Sequence, residues 1–389
     1  MMKIVLFTHP KFVPSQSMPR FAAMLQSGMV ERGHDVEVWT SEKFFLKIPV
    51  PAPLRKWVGY LDQYLVFPLQ IRNRLGKSSR DTLFVFADQA LGPWVPVVSG
   101  RPHVIHCHDF LAQRSALGEI PENPTGRTGK WYQAYIRQGF RQGRNFISVS
   151  EKTRSDLNRF VNGGVERSEM VYNGLNQEFG LVDPSYARTE LRKLTSIDLD
   201  GGYLLHVGGN QWYKNRIGVI EIYNAWRAGT NPGLPLLMIG PKASGDLQAM
   251  RDASPFRDDI HLLAGLDDVA VRLAYAGSAA FIFPSLAEGF GWPIAEAMAS
   301  GCPVLTTDEA PMTEVAGEAA FLIPRRPQDE SQTATWAARS ADVLQKLVSL
   351  SDDERKNVVT RGIANAKRFD SAAALDQIAR IYSSVLAGR

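Results

Sequence analysis

Short apolar segments alternate with amphipathic helical segments along most of the chain, and this alternation constrains the fold more than any other feature of the sequence. The first apolar segment, "KIVLF", is followed by a stretch in which Phe21, Leu25 and Met29 lie on one helical face. "GHDVEVWT" then ends a helix at Gly33 and begins a second strand. A strand, a helix and a strand in this order form a βαβ unit, which predicts a parallel sheet covered by helices.

The alternation occurs in two successive sets. Further strands are expected in the first set at 83–86, 103–106 and 145–149. The second set predicts strands at 203–207, 235–239, 260–263, 280–283 and 303–305, with helices near 216–227, 244–252, 268–276 and 293–300. Helices at 333–350, 352–368 and 371–387 close the chain. The pattern predicts an α/β protein with two Rossmann-like, doubly wound parallel-sheet domains.

A chain of 389 residues exceeds the length of one typical core, which also favours two domains. We place their boundary in the segment from 177 to 202, where the alternation weakens. The predicted domains are residues 1–180 and 181–370, and residues 371–389 form a C-terminal helix expected to pack back toward the first domain. Ligands of open α/β sheets bind at the carboxyl ends of the strands, so we expect an inter-domain cleft that holds the ligand.

The apolar segments are too short to span a membrane. The best candidate, "LFVFADQALGPWVPVV", is interrupted by Asp88, Gln89 and two prolines, whereas a transmembrane helix needs about 20 apolar residues. Lys3 is followed directly by a strand-like segment, which is not the layout of a signal peptide. The two cysteines, Cys107 and Cys302, lie far apart in apolar settings. These features predict a cytoplasmic protein without disulfides.

The net charge of +4 is unevenly distributed. Residues 1–180 carry 23 Lys and Arg against 15 Asp and Glu, and the remainder carries 21 against 25. An excess of positive charge in one domain indicates an anionic partner, such as a phosphate-bearing substrate or a membrane surface, although a solvated face gives the same composition. Nucleic acid is not expected, because the basic residues are scattered and no recognition motif accompanies them.

The segment "SLAEGFGWPIAEAMASG", from Ser285 to Gly301, contains the clearest candidate site. It follows the apolar run "AAFIFP", turns through two glycines and begins a helix near Pro293. Free amide groups and the helix dipole make such a helix start suitable for phosphate. Glu288 and Glu296, on either side of the turn, can bind hydroxyl groups. Phosphate between two such carboxylates indicates a nucleotide-diphosphate sugar, whereas either glutamate alone would be interpreted as solvated.

This segment resembles the signature of the retaining family-4 glycosyltransferases of the GT-B fold, in which a Glu-Gly-Phe-Gly turn precedes a Glu-Ala helix. Segments similar to the family extend over nearly the whole chain: "GHDVEVWT", "HCHDF", "SVSE", "VYNGLN", "HVGGNQWYKN", "FIFPSLAEGFGWPIAEAMASGCPVLTT" and "TEVAG". The resemblance implies GT-B architecture, with an acceptor-binding first domain and a donor-binding second domain. It further implies a sugar transferase that acts in polysaccharide or glycoconjugate biosynthesis and uses a nucleotide sugar as substrate, without a cofactor or a bound metal.

The resemblance also implies roles for individual residues. Glu288 would hold the donor sugar and act electrostatically at its anomeric centre, and Glu296 would bind the ribose hydroxyls. Lys214 would neutralise the leaving diphosphate, an electrostatic contribution that is commonly large in such sites. Backbone amides would contact the sugar and the diphosphate at Gly289, Phe290, Gly291, Trp292 and Ile294, and Gly209 belongs to the same donor-binding set.

Two segments depart from the family pattern. The family arginine expected before Lys214 is absent, because Gln211, Trp212 and Tyr213 occupy that stretch; Arg216 is the candidate replacement, unless helix geometry turns it away. The first βα loop lacks the usual Gly-Gly pair and reads "HPKFVPSQSMPR". Ser15 and Gln16, with Ser17, are candidate substitutes on the acceptor side.

"HVIHCHDF" places His106, His108 and Asp109 after a strand of the first domain. The resemblance implies a catalytic role for His108 near the donor sugar and acceptor, with Asp109 on the acceptor side, while His106 fits a structural role. No further ligand cluster supports a metal at this position. "DLD" at 198–200 mimics the metal-binding Asp-X-Asp of another glycosyltransferase fold, but it lies between the domains and is rejected.

Residues 41–80 mix aromatic, aliphatic and basic side chains and carry eight Lys and Arg against two Asp and Glu. A basic amphipathic surface of this kind can bind a membrane interface and collect a lipid-linked acceptor, which would place the protein at the inner face of the membrane. The prolines at 49, 51 and 53 argue against one continuous helix, and a packed loop is the other interpretation.

Three other functions remain open from the sequence. A nucleotide-binding dehydrogenase would need a glycine-rich turn after the first strand, and "THPKFVPSQ" has none. A sugar-nucleotide epimerase of GT-B architecture and a non-catalytic scaffold both fit the predicted fold, although the presence of Glu288, Glu296 and Lys214 together argues against a scaffold. The acceptor is expected to be a glycan or lipid-linked, and the donor UDP- or GDP-linked.

Overall fold

The computed structural model describes residues 1–13, 17–161, 163–175, 179–230 and 233–388. The chain divides into two units. Met1–Asn176 and Ser371–Arg389 make up the first, and Gln177–Asp370 make up the second. Each unit contains one six-stranded parallel sheet, so the chain has two Rossmann-like domains of the predicted class.

The sheet of the first unit has the strand order β2-β1-β3-β4-β5-β6. Its strands are β1 (Lys3–Phe7), β2 (Asp35–Trp39), β3 (Thr82–Phe86), β4 (His103–Cys107), β5 (Asn145–Ser148) and β6 (Arg167–Met170). The central strands β3 and β4 are buried along their whole length, as expected for a sheet covered on both faces. Aromatic rings fill much of the core, and Phe7 stacks on Phe86 across β1 and β3 with ring centroids 4.5 Å apart.

Helices connect these strands. The helices of the first unit up to the domain boundary are α1 (Ser17–Glu31), α2 (Ala52–Leu61), α3 (Phe67–Leu75), α4 (Val95–Val98), α5 (Leu111–Ala116), α6 (Arg127–Phe140) and α7 (Glu151–Phe160). Short 3₁₀ segments occur at Phe45–Lys47 and Gln89–Trp94.

The second unit repeats the architecture with the strand order β12-β11-β10-β7-β8-β9. Its strands are β7 (Leu204–Val207), β8 (Leu236–Ile239), β9 (Ile260–Leu263), β10 (Ala280–Phe283), β11 (Val304–Thr307) and β12 (Ala320–Ile323). Its helices are α8 (Pro184–Thr195), α9 (Arg216–Ala228), α10 (Gly245–Asp252), α11 (Asp268–Gly277), α12 (Trp292–Ala299), α13 (Met312–Ala316), α14 (Thr333–Val348) and α15 (Asp352–Ala366).

The last helix, α16 (Ser371–Ala387), belongs to the first unit and packs against α1 and β4. A Cβ at Gly28 of α1 would lie 2.5 Å from the Leu375 side chain, so a larger residue there would have to displace this leucine. Tyr382 of α16 is buried and its hydroxyl lies 2.6 Å from Nε2 of His106. This contact fixes the helix on the sheet.

The order of strands reverses at one point in each sheet. In the first unit β2 lies on one side of β1, and β3 lies on the opposite side of β1. The direction in which strands are added therefore changes between β1 and β3. In the second unit the same reversal occurs between β7 and β10. The carboxyl ends of the two strands at such a switch point border a crevice, which is the usual ligand site of an open α/β sheet.

Residues 43–68 do not form one continuous helix, as the prolines at 49, 51 and 53 indicated, because a separate 3₁₀ segment at Phe45–Lys47 precedes α2. α2 begins after Pro51, with Pro53 in its first turn, and continues through a π-helical segment at Asp62–Val66 into α3. The prolines therefore precede or begin the helix and do not interrupt it, because the first turn needs no amide hydrogen bond from proline.

β6 and β12 were not predicted, and both are edge strands of their sheets. Among the residues that the structure describes, no helix is both long and apolar enough to cross a membrane.

Candidate functional site

The loop between β10 and α12 carries the two predicted glutamates and begins the helix through an unusual backbone. Gly291 is the N-cap of α12 and has a φ of +106°, a conformation that side chains other than glycine rarely adopt. Pro293 lies in the first turn of the helix. Phe290 is buried and its ring packs edge-to-face on Phe369 at 5.4 Å, which holds the turn against the core of the second unit.

Glu288 and Lys214 form an ion pair at the switch point of the second unit. Lys214 follows β7 and Glu288 follows β10, and Nζ donates to Oε1 over 2.7 Å. The same carboxylate oxygen accepts a hydrogen bond from the Ser285 hydroxyl at 2.8 Å. Lys214 and Glu288 have side chains that are only 14% and 8% exposed, so water screens the pair weakly.

Several contacts fix the position of Lys214. Its ammonium lies 5.0 Å from the centre of the Phe283 ring, a cation–π contact at the end of β10. The next residue, Asn215, has a left-handed backbone with φ 48° and caps α9 by accepting a hydrogen bond from the Gly218 amide. The amide group of the Asn215 side chain donates to the Pro284 carbonyl at 2.9 Å. Asn215 thereby joins the loop after β7 to the loop after β10.

Arg216 lies in the first turn of α9 and is 6% exposed. One guanidinium nitrogen donates to the Asn210 side-chain oxygen at 2.6 Å, while Nε has no hydrogen-bond partner. Among the described residues no carboxylate lies within ion-pair distance of this guanidinium, and burial lowers its pKa from the usual value. A buried cation without a counterion is costly, so the site is electrostatically prepared for an anion.

Glu296 lies on α12 and is half-buried. Its carboxylate accepts a hydrogen bond from the Tyr275 hydroxyl at 2.9 Å. Burial and the nearby carboxylate raise the pKa of Tyr275 well above its usual value, so the phenol keeps its proton and remains the donor. This contact orients the carboxylate at the start of the helix.

The residues predicted to contact the donor through their backbone lie in the loops after β7 and β10 and in the first turn of α12. Their local contacts differ. The Ile294 amide donates to the Gly291 carbonyl at 3.0 Å and its side chain is fully buried, so this amide is engaged within the turn. Gly209 lies in the loop after β7, where a Cβ would be 2.2 Å from the Gln211 side-chain oxygen. Gly240, after β8, approaches this loop closely, and a Cβ there would be 2.1 Å from the Gly208 carbonyl oxygen.

His108 and Asp109 lie in the first unit, after β4. His108 is buried, and its Nε2 lies 2.8 Å from the Ala87 carbonyl oxygen, to which it donates. Burial lowers the pKa of His108, so the imidazole is neutral at neutral pH. Asp109 accepts a hydrogen bond from the Leu111 amide at 3.0 Å. Ser15 and Gln16 lie outside the described residues.

The two motifs that raised the question of a metal have other partners. His106 contacts Tyr382, and burial lowers the pKa of His106 to about 3, which fits a structural residue. Asp198 and Asp200 both pair with Arg192 on the surface, at 3.7 and 2.7 Å. In the described parts of the chain, no group of three His, Cys, Asp or Glu residues is arranged to hold a metal ion.

Sequence reasoning missed the residues that position the site. Ser285 and Tyr275 hold the two glutamates, and Asn215 joins the two loops. The position of Asn215 directly after Lys214 was the available signal, since asparagine tolerates a left-handed backbone and caps helices. Tyr275 is 21 residues from Glu296 and gave no local signal.

The second unit therefore combines two cations, an oriented carboxylate at the helix start and a second carboxylate inside the turn. Lys214 and Arg216 can compensate the charge of a diphosphate, and the Glu288 carboxylate, held by the buried Ser285 hydroxyl, can bind hydroxyl groups. This arrangement can bind a phosphorylated, hydroxyl-rich ligand and stabilise negative charge on a leaving phosphate.

Two family models match the chain. The model described as glycosyl transferases group 1 matches residues 187–345, within the second unit. The model described as glycosyltransferase family 4 matches residues 18–179, most of which lie in the first unit.

Individual proteins and structures agree with these matches. The chain is 33% identical to the MMP alpha-(1->4)-mannosyltransferase of Mycolicibacterium hassiacum, over 92% of this chain and 94% of that protein. It is 27% identical to O-antigen chain mannosyltransferase B of Escherichia coli over 62% of this chain, and this match spans 60% of that protein's length. HepE of Anabaena, solved in complex with UDP, has a similar fold with a TM-score of 0.69 at 16% identity, covering 98% of this chain and 100% of that one.

Proposed function

The chain belongs to the glycosyltransferases of group 1 and family 4, with the GT-B fold, and from this membership we propose a specific reaction for it. The protein transfers a sugar from a UDP- or GDP-linked donor to a glycan or lipid-linked acceptor, with retention of anomeric configuration. The reaction belongs to polysaccharide or glycoconjugate biosynthesis. The mannosyltransferase names of two relatives and the UDP bound to HepE support this class of donor and product.

The observation that carries the proposal is the pairing of Lys214 with Glu288 beside a buried, uncompensated Arg216. A bound diphosphate supplies a counterion for Arg216. It also competes with the Glu288 carboxylate for the Lys214 ammonium. The carboxylate is then released toward the donor sugar. Preorganised charges of this kind stabilise the leaving diphosphate as its bond to the sugar breaks, without rearrangement of solvent.

We propose that attack and departure occur on the same face of the sugar. The bond from the anomeric carbon to the diphosphate oxygen breaks with help from Lys214, and the acceptor hydroxyl forms the new bond from that face. Its proton passes to the departing phosphate oxygen. Glu288 stabilises the positive charge on the anomeric carbon and does not form a lasting bond, because Glu296, the second carboxylate that a glycosidase pair would need, is assigned to the ribose.

The test combines binding and product analysis. A thermal-shift panel of nucleotides and nucleotide sugars identifies the donor, because a ligand that binds only the native state raises the unfolding temperature. The product formed with that donor and a glycan acceptor is then examined by NMR. A new linkage with the donor's anomeric configuration is expected. An inverted linkage would refute the retaining mechanism, and a new sugar nucleotide formed without acceptor would indicate an epimerase.

A bound metal and a cofactor have no part in the proposed reaction. The positive charge near the diphosphate comes from Lys214 and Arg216, so these side chains take the place that a divalent cation has in other transferases. We propose this on the chemistry of the side chains.

We also propose peripheral association with the cytoplasmic face of a membrane. The helix from Ala52 to Leu75 carries large apolar side chains that are exposed to solvent and repeat every three or four residues. They are Leu54, Trp57, Leu61, Leu65 and Leu69. The stripe and the basic composition of residues 41–80 together fit the interface of an anionic bilayer, where a lipid-linked acceptor would be located.

Vesicle sedimentation tests this association. Leu61→Glu/Leu65→Glu should lose binding to vesicles that contain phosphatidylglycerol by at least about tenfold, because burial of each leucine contributes about 1.5–3 kcal/mol. Val30→Glu/Leu117→Glu, at exposed apolar positions elsewhere in the first unit, is the matched control. Equal binding by the two double variants would exclude the stripe as the contact surface.

A further inference from the structure

The first unit contains a cavity of about 600 Å³ at its own switch point. His9, which follows β1, forms part of its wall, and the 3₁₀ segment after β3 contributes Leu91 and Trp94. The other walls come from the helix that begins at Ala52 and from Tyr132 of α6. Its size is in the range of small-molecule sites, and its position is the one expected for a ligand of an open α/β sheet.

Aromatic rings form one wall of this cavity. Tyr60 and Tyr132 are stacked, with ring centroids 5.2 Å apart and planes inclined by 20°. Trp94 is buried behind them and its indole nitrogen donates to the Gln63 carbonyl at 2.8 Å. A wall of flat rings with polar edges suits the faces of a sugar, which present C–H groups and hydroxyls side by side.

The hydroxyl groups of Tyr64 and Tyr132 lie 2.6 Å apart. Burial raises the pKa of both phenols, so both keep their protons at neutral pH. One proton makes the hydrogen bond between them, and the other has no acceptor among the described residues. A polar proton in a cavity wall is a recognition element for a ligand oxygen.

His9 and Asp88 connect the two strands at the switch point, with Nε2 of His9 2.8 Å from Oδ2 of Asp88. Burial opposes the ionisation of Asp88, but the hydrogen bonds from His9 and from the Ala90 amide hold its pKa below the usual value. The carboxylate is therefore charged and His9 donates to it. Nδ1 of His9, which has no partner among the described residues, is then available to a ligand hydroxyl.

Three cations line the cavity, and none has a carboxylate within ion-pair distance among the described residues. They are Lys43, Arg55 and Lys56. The described lining contains no Asp or Glu. The buried carboxylate of Asp62 accepts hydrogen bonds from the amides of Phe44, Phe45 and Leu46 at 3.1, 2.8 and 3.2 Å, which fixes the segment next to Lys43 on the helix.

We propose that this cavity binds the acceptor and that the acceptor is a saccharide bearing a phosphate. The tyrosine wall contacts the sugar ring, Lys43, Arg55 and Lys56 bind the phosphate, and His9 accepts a hydrogen bond from a sugar hydroxyl. The inference rests on the proposed transferase function and defines its acceptor. A free sugar phosphate and the sugar-phosphate headgroup of a lipid present the same chemistry.

Titration calorimetry with the full chain tests the assignment, using glucose 6-phosphate as the probe and methyl glucoside and inorganic phosphate as reference ligands. Arg55→Gln/Lys56→Gln should weaken binding of glucose 6-phosphate by at least about tenfold, the scale of lost charge-assisted hydrogen bonds. Arg127→Gln/Lys130→Gln removes the same two charges from exposed positions of α6 outside the cavity and should leave binding unchanged. Tyr132→Phe, which removes one hydroxyl of the tyrosine pair, should weaken binding about threefold to tenfold.

Three results would overturn the proposal. The first is equal weakening by the cavity and control variants, and the second is binding of inorganic phosphate as tight as that of glucose 6-phosphate. Displacement of glucose 6-phosphate by UDP in the Glu296→Ala variant would assign the cavity to a nucleotide and would also overturn it.

Vesicles of phosphatidylinositol and of phosphatidylglycerol distinguish the two sources of the ligand. Preference for phosphatidylinositol that is lost in Arg55→Gln/Lys56→Gln indicates a lipid headgroup, and binding of the soluble probe alone indicates a free sugar phosphate. Donor binding is measured in the same variants. If Arg55→Gln/Lys56→Gln loses binding of the probe but keeps donor binding and transferase turnover, only the acceptor assignment is refuted. If the unchanged protein binds neither the probe nor a donor, the transferase function is refuted as well.

Discussion

Replacing Glu288 by glutamine removes one negative charge from the site while keeping the size of the side chain. The amide oxygen of glutamine can still accept the hydrogen bonds that Lys214 and Ser285 donate to Oε1 in the structure, at 2.7 and 2.8 Å. We therefore expect the loop to keep its conformation. The change tests the charge of the carboxylate and not its shape.

The expected loss of turnover in Glu288→Gln follows from the distance between the carboxylate and the charge that develops on the anomeric carbon. A unit charge about 4 Å away interacts with a carboxylate by about 4 kcal/mol at an effective dielectric constant of about 20. An anomeric carbon that carries about half a charge at the transition state would lose about 2 kcal/mol, which corresponds to a roughly thirtyfold lower turnover. Affinity for the donor should stay within about threefold, because the ground state carries no such charge.

The assay compares turnover at saturating donor with donor affinity from titration calorimetry. Ser285→Ala is the matched control, since it removes the other hydrogen bond to the same oxygen and keeps the charge. Thermal unfolding of both variants shows whether the loop and its core remain intact. If Glu288→Gln turns over as fast as the unchanged protein, or if its loss appears entirely in donor affinity, the electrostatic role is wrong.

Three further predictions concern other groups. Glu296→Ala should weaken binding of the nucleotide sugar by about 1–3 kcal/mol in titration calorimetry, since a charge-assisted hydrogen bond to the ribose is lost; unchanged affinity would remove Glu296 from the site. Activity should persist in EDTA, and its full loss with recovery on addition of magnesium or manganese would disprove metal independence. Because the pKa of His106 is lowered to about 3 in the fold, protonation favours the unfolded chain, so stability should fall as the pH decreases from about 6.5 toward 3. His106→Gln should flatten that dependence of the unfolding temperature, and an unchanged slope would contradict the assignment.

The strands of both sheets were predictable where burial is complete. β3, β4 and β10 are buried along their whole length because neighbours cover both faces, and their sequences are mostly apolar. β6 lies at a sheet edge, contains "RSEM" and is half-buried, so no hydrophobic pattern marks it. β12 is the edge strand of the second sheet, and only Ile323 of its four residues is buried, so complete burial does not mark it either.

The contacts within the site were not predictable from local patterns. Lys214 and Glu288 are 74 residues apart, and their distance depends on β7 and β10 being neighbours in the sheet. Strand order is decided by the packing of the whole unit and has no signature at either residue. The resemblance to the family suggested both residues, but it did not indicate that they pair with each other in the absence of a donor.

The cavity of the first unit was missed for the same reason. His9 and Asp88 are 79 residues apart and meet because β1 and β3 are adjacent. The prolines at 49, 51 and 53 indicated an interruption, but not that a helix begins directly after Pro51 and continues to Leu75. One face of this helix contributes Arg55, Lys56 and Tyr60 to the cavity, so this wall was not predicted either.

Each unit places a hydrogen-bonded pair of side chains across its switch point, and in each pair a carboxylate is the acceptor. In the second unit Lys214 donates to Glu288, and in the first His9 donates through Nε2 to Asp88. The chemical difference between the two donors fits the two substrates that we propose. The ammonium of lysine can only donate, which suits a leaving diphosphate, whereas a neutral imidazole held by a carboxylate through Nε2 can accept at Nδ1, which suits an attacking hydroxyl. We therefore infer that the same topological position serves donor recognition in one unit and acceptor recognition in the other.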